Sequence, residues 1–231
     1  MKNNFDYIIA GGGSAGCTLA SRLAEDSSIS VLLIEAGGSG KSLFTKMPGG
    51  NGFIIGNPKF DWVQYSTPQP NLNNRKIFYP RGKGLGGSSL LNGMIYMRGG
   101  AGDFNRWRQK GLEGWSYEKV LPYFKKSVSA YHRENSKYHG QNGPLKITPA
   151  GNYSKVDEIF VKACEEAGAI YNDDFNGEKL SGVGKYDVKV WKGIRQSSSE
   201  AYLKTKPKNL TIFKNTHVIN LIIEKSKAIG L

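Results

Sequence analysis

The chain has 231 residues, of which 39% are hydrophobic and 22% charged, a composition typical of a folded protein with a core of its own. Its net charge is +13, but the basic residues form no long block and no nucleic-acid-binding motif is recognisable. Apolar runs are too short for a membrane span, and two cysteines are too few for a disulfide framework. With no recognisable secretion signal, we expect a cytoplasmic protein without a transmembrane segment that does not bind nucleic acid.

The first 35 residues predict a β-α-β unit. Residues 5–10 and 30–35 are apolar runs typical of buried parallel strands. Residues 14–25 carry apolar or small side chains at helical spacing. The strand, helix and second strand follow one another closely, as they do in a Rossmann-like sheet.

The turn between the first strand and the helix reads GGGSAG. Gly11, Gly13 and Gly16 match the dinucleotide-binding pattern G-x-G-x-x-G: the first makes the tight turn, the second admits a pyrophosphate, and the third lets helix and strand pack. Glu35 closes the second strand 19 residues after Gly16, where a carboxylate accepts ribose hydroxyls and repels a 2′-phosphate. NADP is therefore disfavoured. The alternative is a glycine-rich turn of an ordinary α/β domain.

A second glycine-rich segment, PRGKGLGGSSLLNGMIYMRG, spans residues 80–99. A plain NAD dehydrogenase has no need of it. Gly86 and Gly87 permit close backbone approach, while Ser88 and Asn92 add hydrogen-bonding groups. Such a loop suits the far half of a larger dinucleotide, and the alternative is a surface loop with tight turns.

The remaining elements are predicted from composition and period. The segment 37–58 has no period and is expected to be an irregular functional loop or lid. Residues 60–66, 183–192, 210–213 and 218–224 are expected to be strands. Helices are predicted over 116–127, with a kink at Pro122, over 154–167, and over a short stretch at 197–204.

The two glycine-rich segments resemble the glucose-methanol-choline (GMC) family of FAD-dependent oxidoreductases, most closely its choline dehydrogenase and alcohol dehydrogenase branch. The resemblance covers essentially the whole chain and is specific, because the matching segments are long. It continues through DFNRW (103–107), GWSYEKVLPYFKKS (114–127), YHGQNGPL (138–145), AYL (201–203) and NLTI (209–212).

The resemblance implies that FAD is the cofactor and assigns roles to named residues. It implies that Glu35 holds the adenosine ribose and that the backbone of Val218 meets the adenine, although a buried strand valine would look the same. The residues implied to hold the pyrophosphate are Gly11, Gly13, Ser14 and Gly16. Those implied to lie along the pyrophosphate, ribityl and isoalloxazine groups are Gly86, Gly87, Ser88, Asn92, Gly93 and Met94.

The mode of FAD attachment follows from Leu91. Some members of the family attach the flavin through a histidine in this loop. Leucine cannot form that bond, so the resemblance implies noncovalent FAD.

No catalytic residue is assigned in this chain, because the catalytic histidine of the family lies in a C-terminal part that has no counterpart here. His132 is expected to be solvated, His139 to be structural in a turn, and His217 to lie in a strand. No metal site is predicted.

The predicted fold class is α/β: a Rossmann-like FAD-binding domain with the beginning of a substrate-domain sheet, without the C-terminal half of the family fold. The FAD-binding segments are expected to be about 1–40, 80–110 and 205–231. The predicted activity is oxidation of the CH–OH group of choline or another primary alcohol, with hydride transfer to flavin N5. The alternative is an inactive FAD-binding module, and a separately encoded C-terminal half is a possible partner.

Overall fold

The computed structural model describes residues 4–151 and 154–231, and the chain divides into two compact units. The first unit contains residues 4–93 and 193–231, and the second contains the described residues of 94–192. Which segments bind FAD is not decided by this division and stays a prediction.

The first unit combines helices with short strands, and all elements are numbered in chain order over both units. Its elements are β1 (Tyr7–Ala10), α1 (Ser14–Leu23), β2 (Val31–Ile34), α2 (Leu43–Lys46), α3 (Asn51–Ile54), β3 (Gln64–Tyr65), β4 (Phe78–Tyr79), β11 (Ile194–Arg195), α7 (Ser198–Tyr202), β12 (Leu210–Phe213), β13 (Ile222–Glu224) and β14 (Lys227–Gly230).

The central sheet of the first unit has the strand order β1-β2-β12, and all three strands run parallel. Val31 in β2 lies opposite Tyr7 of β1 and Leu210 of β12. Every residue of β2 is buried, which explains its continuous apolar sequence. Ala20 of α1 packs with Leu33 in the core beneath this sheet. The β-α-β prediction is thereby confirmed.

Two predictions for the first unit need correction. The segment 37–58 is not irregular throughout, because α2, α3 and a 3-10 helix at Pro48–Gly50 lie within it. In 218–224 only Ile222–Glu224 is a strand, and Val218 precedes it in an extended loop. The strand over 218–224 was predicted from apolar character alone, but these residues form no part of the parallel sheet.

The second unit has shorter strands and longer helices. Its elements are β5 (Ile95–Tyr96), α4 (Ala101–Gln109), α5 (Tyr117–Ser127), β6 (Val128–Ser129), β7 (Leu145–Lys146), β8 (Thr148–Pro149), α6 (Lys155–Glu166), β9 (Asp187–Val188) and β10 (Val190–Trp191).

An antiparallel sheet of order β5-β9-β8 organises the second unit. Helix α5 begins after its N-cap Ser116, whose hydroxyl accepts a hydrogen bond from the backbone N–H of Lys119, and it continues through Pro122. The predicted strand 183–192 is divided into β9 and β10. Among the described residues, no helix is long and apolar enough to cross a membrane.

Candidate functional site

The fingerprint turn connects β1 to α1. Gly11 has a φ of +97°, a conformation that favours glycine, and its N–H donates to the carbonyl of Ile34 at 2.8 Å. Helix α1 begins at Ser14 with Gly13 as its N-cap, has no side-chain cap, and has no acidic residue in its first turn. Its N-terminal N–H groups and positive dipole end therefore face a place suited to an anion.

Two glycines of this turn serve different purposes. Gly16 is buried, and a Cβ there would collide with the carbonyl oxygen of Gly11, so glycine allows the helix to pack against the turn. A Cβ at Gly13 would meet no atom within 4 Å. The absence of a side chain at Gly13 therefore leaves open space rather than satisfying a packing constraint.

Glu35 follows β2 and is 6% exposed. Its Oε2 accepts the N–H of Gly12 at 2.8 Å, while Oε1 accepts those of Gly37 at 2.7 Å and Gly84 at 3.0 Å. One carboxylate thus joins the fingerprint turn, the loop after β2 and the second glycine-rich segment. The sequence indicated that Glu35 binds a ligand. It did not indicate that Glu35 joins three loops, because the hydrogen-bond partners are backbone N–H groups, which leave no pattern of side chains.

The second glycine-rich segment lies directly against the fingerprint. The N–H of Gly86 donates to the carbonyl of Gly12 at 2.7 Å. A Cβ on Gly87 would come within 2.7 Å of the Gly13 Cα, and both Gly86 and Gly87 have positive φ. The two glycine-rich segments therefore meet.

A cavity of about 560 Å³ opens where these segments converge. Five of the predicted site residues line it together: Gly11, Gly13, Glu35, Gly87 and Val218. The loop before β13 supplies one wall through residues 216–221. Trp62 adds an aromatic side chain, whose ring lies 5.4 Å from that of His217. His217 is not in a strand, which corrects the prediction for this residue.

The other predicted site residues do not line this cavity. They are Ser14, Gly16, Gly86, Ser88, Asn92, Gly93 and Met94. The Ser88 hydroxyl accepts the N–H of Gly82 at 3.2 Å. Met94 begins the second unit and has a φ of +64°. Leu91 is buried, with 5% exposure. The assignment of all these residues to FAD stays a prediction.

Arg195 is a residue that sequence reasoning missed. It is 1% exposed, and its Nη1 donates to the backbone carbonyl of Asn92 at 2.6 Å. Its Nη2 donates to the carbonyl of Pro48 at 3.2 Å. Burial lowers the pKa of Arg195. Nothing in the sequence around Arg195 indicates that it donates hydrogen bonds to two distant loops.

The Cys17 side chain packs beneath the fingerprint. Its thiol donates to the carbonyl of Gly12 at 3.0 Å, and burial raises the pKa of Cys17 to about 12. The thiol therefore stays protonated and is a structural donor rather than a nucleophile.

The other two histidines belong to an ionic network in the second unit. His132 is exposed, as predicted, and its Nε2 also lies 2.9 Å from Asp187 Oδ1. His139 is buried, and its Nε2 lies 3.0 Å from Asp174 Oδ2, in agreement with a structural role. Arg133 Nε donates to Asp187 Oδ2 at 2.9 Å. Asp174 is half-buried and belongs to the same network.

Hydrogen bonds in this network lower the pKa values of Asp174 and Asp187. Burial by itself would raise the pKa of Asp187, but hydrogen bonds from His132 and Arg133 outweigh it and hold the pKa below the ordinary 3.8. Hydrogen bonds from His139 and a backbone N–H do the same for the pKa of Asp174. One ligand atom from each of His139, Asp174 and Asp187 lies within 4.8 Å of the others. A metal ion there would compete with Arg133, which already neutralises Asp187.

Comparison with known proteins decides the family. The family model described as GMC oxidoreductase matches residues 5–231. The chain belongs to the GMC oxidoreductase family. GMC oxidoreductases are FAD-binding flavoproteins.

Similar proteins agree with this assignment. The chain is 41% identical over 236 residues to an oxygen-dependent choline dehydrogenase from Photobacterium profundum, covering 100% of this chain and 41% of the relative. Pyridoxine 4-oxidase from Mesorbium loti superposes with a TM-score of 0.92 at 32% identity, over 97% of this chain and 45% of that one. An FAD-dependent oxidoreductase from Chaetomium thermophilum superposes with a TM-score of 0.88 at 28% identity, over 98% of this chain and 41% of that one. The chain thus spans less than half the length of these GMC relatives, and corresponds to the FAD-binding N-terminal region of the family fold.

Proposed function

We propose that this chain binds FAD noncovalently in the glycine-lined cavity, as the N-terminal part of an enzyme that oxidises the CH–OH group of an alcohol. The observation that carries the proposal is the convergence of Gly11, Gly13, Glu35, Gly87 and Val218 on one cavity. The fold brings together five residues that the family resemblance implies, from four separate places along the sequence.

The cavity suits a pyrophosphate in its chemistry. Gly13 leaves open space beside the N-terminus of α1, where backbone N–H groups carry no side-chain cap. Helix N-termini of this kind hold phosphate oxygens in dinucleotide-binding folds. Gly87 keeps the second loop close without closing the space, because any Cβ at that position would strike the Gly13 backbone.

Glu35 keeps limited capacity for a ribose. Its Oε1 already accepts two N–H groups and Oε2 accepts one. Since each carboxylate oxygen offers about two lone-pair sites, one acceptor site on Oε2 is left for a hydroxyl. We therefore propose that Glu35 accepts one ribose hydroxyl, rather than both, while it holds the three loops together. The backbone of Val218 is proposed to meet the adenine.

FAD, when bound, supplies the acceptor for the substrate hydride, and the residues of this chain hold and orient it. Choline is the first substrate to test, since the similar Photobacterium protein is a choline dehydrogenase. His132 and His139 are unsuited to remove the alcohol proton, because Asp187 and Asp174 bind them inside the second unit.

The binding proposal is tested by titrating FAD into the purified chain and following flavin fluorescence. We expect saturable binding of FAD that a large excess of NAD does not displace. Tighter binding of NAD than of FAD would contradict the proposal.

The attachment proposal has its own test. Leu91 offers no nucleophile, so acid precipitation should release all of the FAD into the supernatant. Flavin fluorescence that stays with the denatured protein would contradict noncovalent binding.

The source of the catalytic base separates the active enzyme from an inactive FAD-binding module. We expect that anaerobic mixing of the FAD-loaded chain with choline leaves the visible flavin band unchanged, because loss of a general base costs about 10²–10⁴-fold. Bleaching that is abolished by His217→Ala would place the base in this chain.

A further inference from the structure

A second cavity in the first unit, of about 710 Å³, shares no lining residue with the glycine-lined cavity. It lies between the loop after β2, helices α2 and α7, and strands β11 and β12. Its lining is strongly basic. Six cationic side chains contribute to it: Lys41, Lys46, Arg195, Lys204, Lys206 and Lys214.

The acidic groups nearby do not balance this charge. Glu200 is the only carboxylate residue among those that line the cavity, and it pairs with Lys204 at 3.6 Å. Neither Lys46 nor Lys214 forms an ion pair with any residue of the described parts of the chain. The cavity therefore carries an excess of positive charge, whose mutual repulsion disfavours the empty folded state.

Arg195 makes this cavity different from a patch of surface lysines. Its side chain is 1% exposed, its hydrogen bonds go to uncharged oxygens of Asn92 and Pro48, and its Nε has no hydrogen-bond partner within residues 4–151 and 154–231. No carboxylate of the described residues forms an ion pair with it. A buried charge without a counter-charge costs several kcal/mol, so a compensating anion is expected close by.

Donor groups in the lining are those that phosphate prefers. Lysine ammonium and arginine guanidinium groups both bind phosphate oxygens, the first as point charges and the second as a rigid fork. The hydroxyl-bearing residues Ser39 and Ser197 also line the cavity. A single carboxylate would neutralise only one of the six cations, whereas a diphosphate brings several negative charges in a compact group.

We propose that this second cavity binds a small molecule that carries two or more phosphate groups, at a site separate from that of FAD. Arg195 supplies the buried charge at this site, and Lys46 and Lys214 supply mobile charges from different elements. The ligand is defined by this chemistry, and inorganic pyrophosphate serves as its simplest probe.

The test is isothermal titration of pyrophosphate into the full chain at constant ionic strength, with and without saturating FAD. The double substitution Lys46→Gln with Lys214→Gln should weaken binding about tenfold, which corresponds to about 1.4 kcal/mol for the two charge-assisted contacts together. The control Lys110→Gln with Lys162→Gln removes the same charge from exposed positions in the second unit and should leave the affinity unchanged.

Three results would overturn the proposal. Absence of measurable pyrophosphate binding would do so, as would equal weakening by both double substitutions, which would indicate a diffuse charge effect. Complete competition between FAD and pyrophosphate would place the anion in the glycine-lined cavity instead.

Arg195→Lys keeps the charge and is expected to bind pyrophosphate more tightly than Arg195→Met; equal affinity of these two folded variants would contradict the role given to Arg195.

Discussion

Buried acidic groups are neutralised differently in the two units. In the first unit, Glu35 accepts three backbone N–H groups, and so does the buried Asp61, from Gly56, Val63 and Arg81. In the second unit, Asp174 and Asp187 accept hydrogen bonds chiefly from histidine and arginine side chains. Backbone neutralisation holds loops together, at Glu35 beside the glycine-lined cavity, whereas side-chain neutralisation joins β9 to the loop that carries His132 and Arg133. The difference predicts that loss of the Glu35 carboxylate affects both stability and FAD affinity, whereas loss of the Asp187 carboxylate affects stability.

The largest effect is expected from Glu35→Ala. It leaves the N–H groups of Gly12, Gly37 and Gly84 without their acceptor, at about 1–3 kcal/mol for each buried group, so unfolding should become easier by at least about 3 kcal/mol. FAD affinity should fall with it. The measurement is urea unfolding with and without FAD. A variant that loses FAD affinity but keeps its unfolding free energy would show that Glu35 is only a ligand.

Asp187→Asn is expected to cost about 2–4 kcal/mol of unfolding free energy, because it leaves the half-buried Arg133 without its closest anion. FAD affinity should not change. The matched control is Glu165→Gln, which alters an exposed acid in the same unit. A loss of FAD affinity in Asp187→Asn that persists under conditions where the chain is fully folded would contradict a purely structural role for Asp187.

Protonation of any one carboxyl group is expected to change the unfolding free energy by less than the two substitutions above. The pKa values of Asp61, Asp174 and Asp187 lie below 3.8 in the folded chain. As the pH falls through that value, the unfolded chain takes up protons before the folded chain does, so stability is lost toward acid. Urea midpoints measured between pH 3 and 7, roughly the range in which carboxyl groups change charge, should fall toward low pH. Asp187→Asn should reduce this slope without abolishing it, since Asp61 and Asp174 remain; an unchanged slope would contradict the assignment.

Cys17→Ala is expected to have the smallest effect, about 1 kcal/mol, from a lost thiol hydrogen bond and a small cavity. Urea unfolding measures it, with Cys164→Ala as the control. In the unmodified chain, thiol reagents should label Cys164 well before Cys17, which is fully buried. Rapid labelling of Cys17 in the folded chain would contradict its structural role.

The sequence predicted those features that depend on local pattern. Gly11 and Gly16 meet a conformational and a packing constraint of one turn, Gly13 leaves space beside that turn, and β12 begins and ends as its apolar run indicates. Non-local pairings could not be predicted. No sequence pattern near His132 predicts its contact with Asp187, 55 residues away, and none near Asn92 predicts its hydrogen bond with Arg195, 103 residues away. Val218 lines the glycine-lined cavity from a loop, whereas the sequence predicted a strand, because an apolar loop that lines a cavity has the composition of a strand. Its contact with the adenine stays a prediction.

The central claim is that the first unit holds FAD through backbone exposed by the absence of a side chain at Gly13. Gly13→Ala tests it most directly, because a Cβ at Gly13 meets no protein atom within 4 Å and its φ of −74° suits any residue. The control Gly52→Ala also adds a methyl group to open space in the same unit. The account predicts that neither variant changes the unfolding free energy by more than about 1 kcal/mol in the absence of FAD, the scale of helix-cap and helix-propensity effects. Only Gly13→Ala is expected to lose about tenfold or more in FAD affinity, at least about 1.4 kcal/mol. Unchanged FAD affinity in Gly13→Ala, or an equal loss in Gly52→Ala, would contradict it.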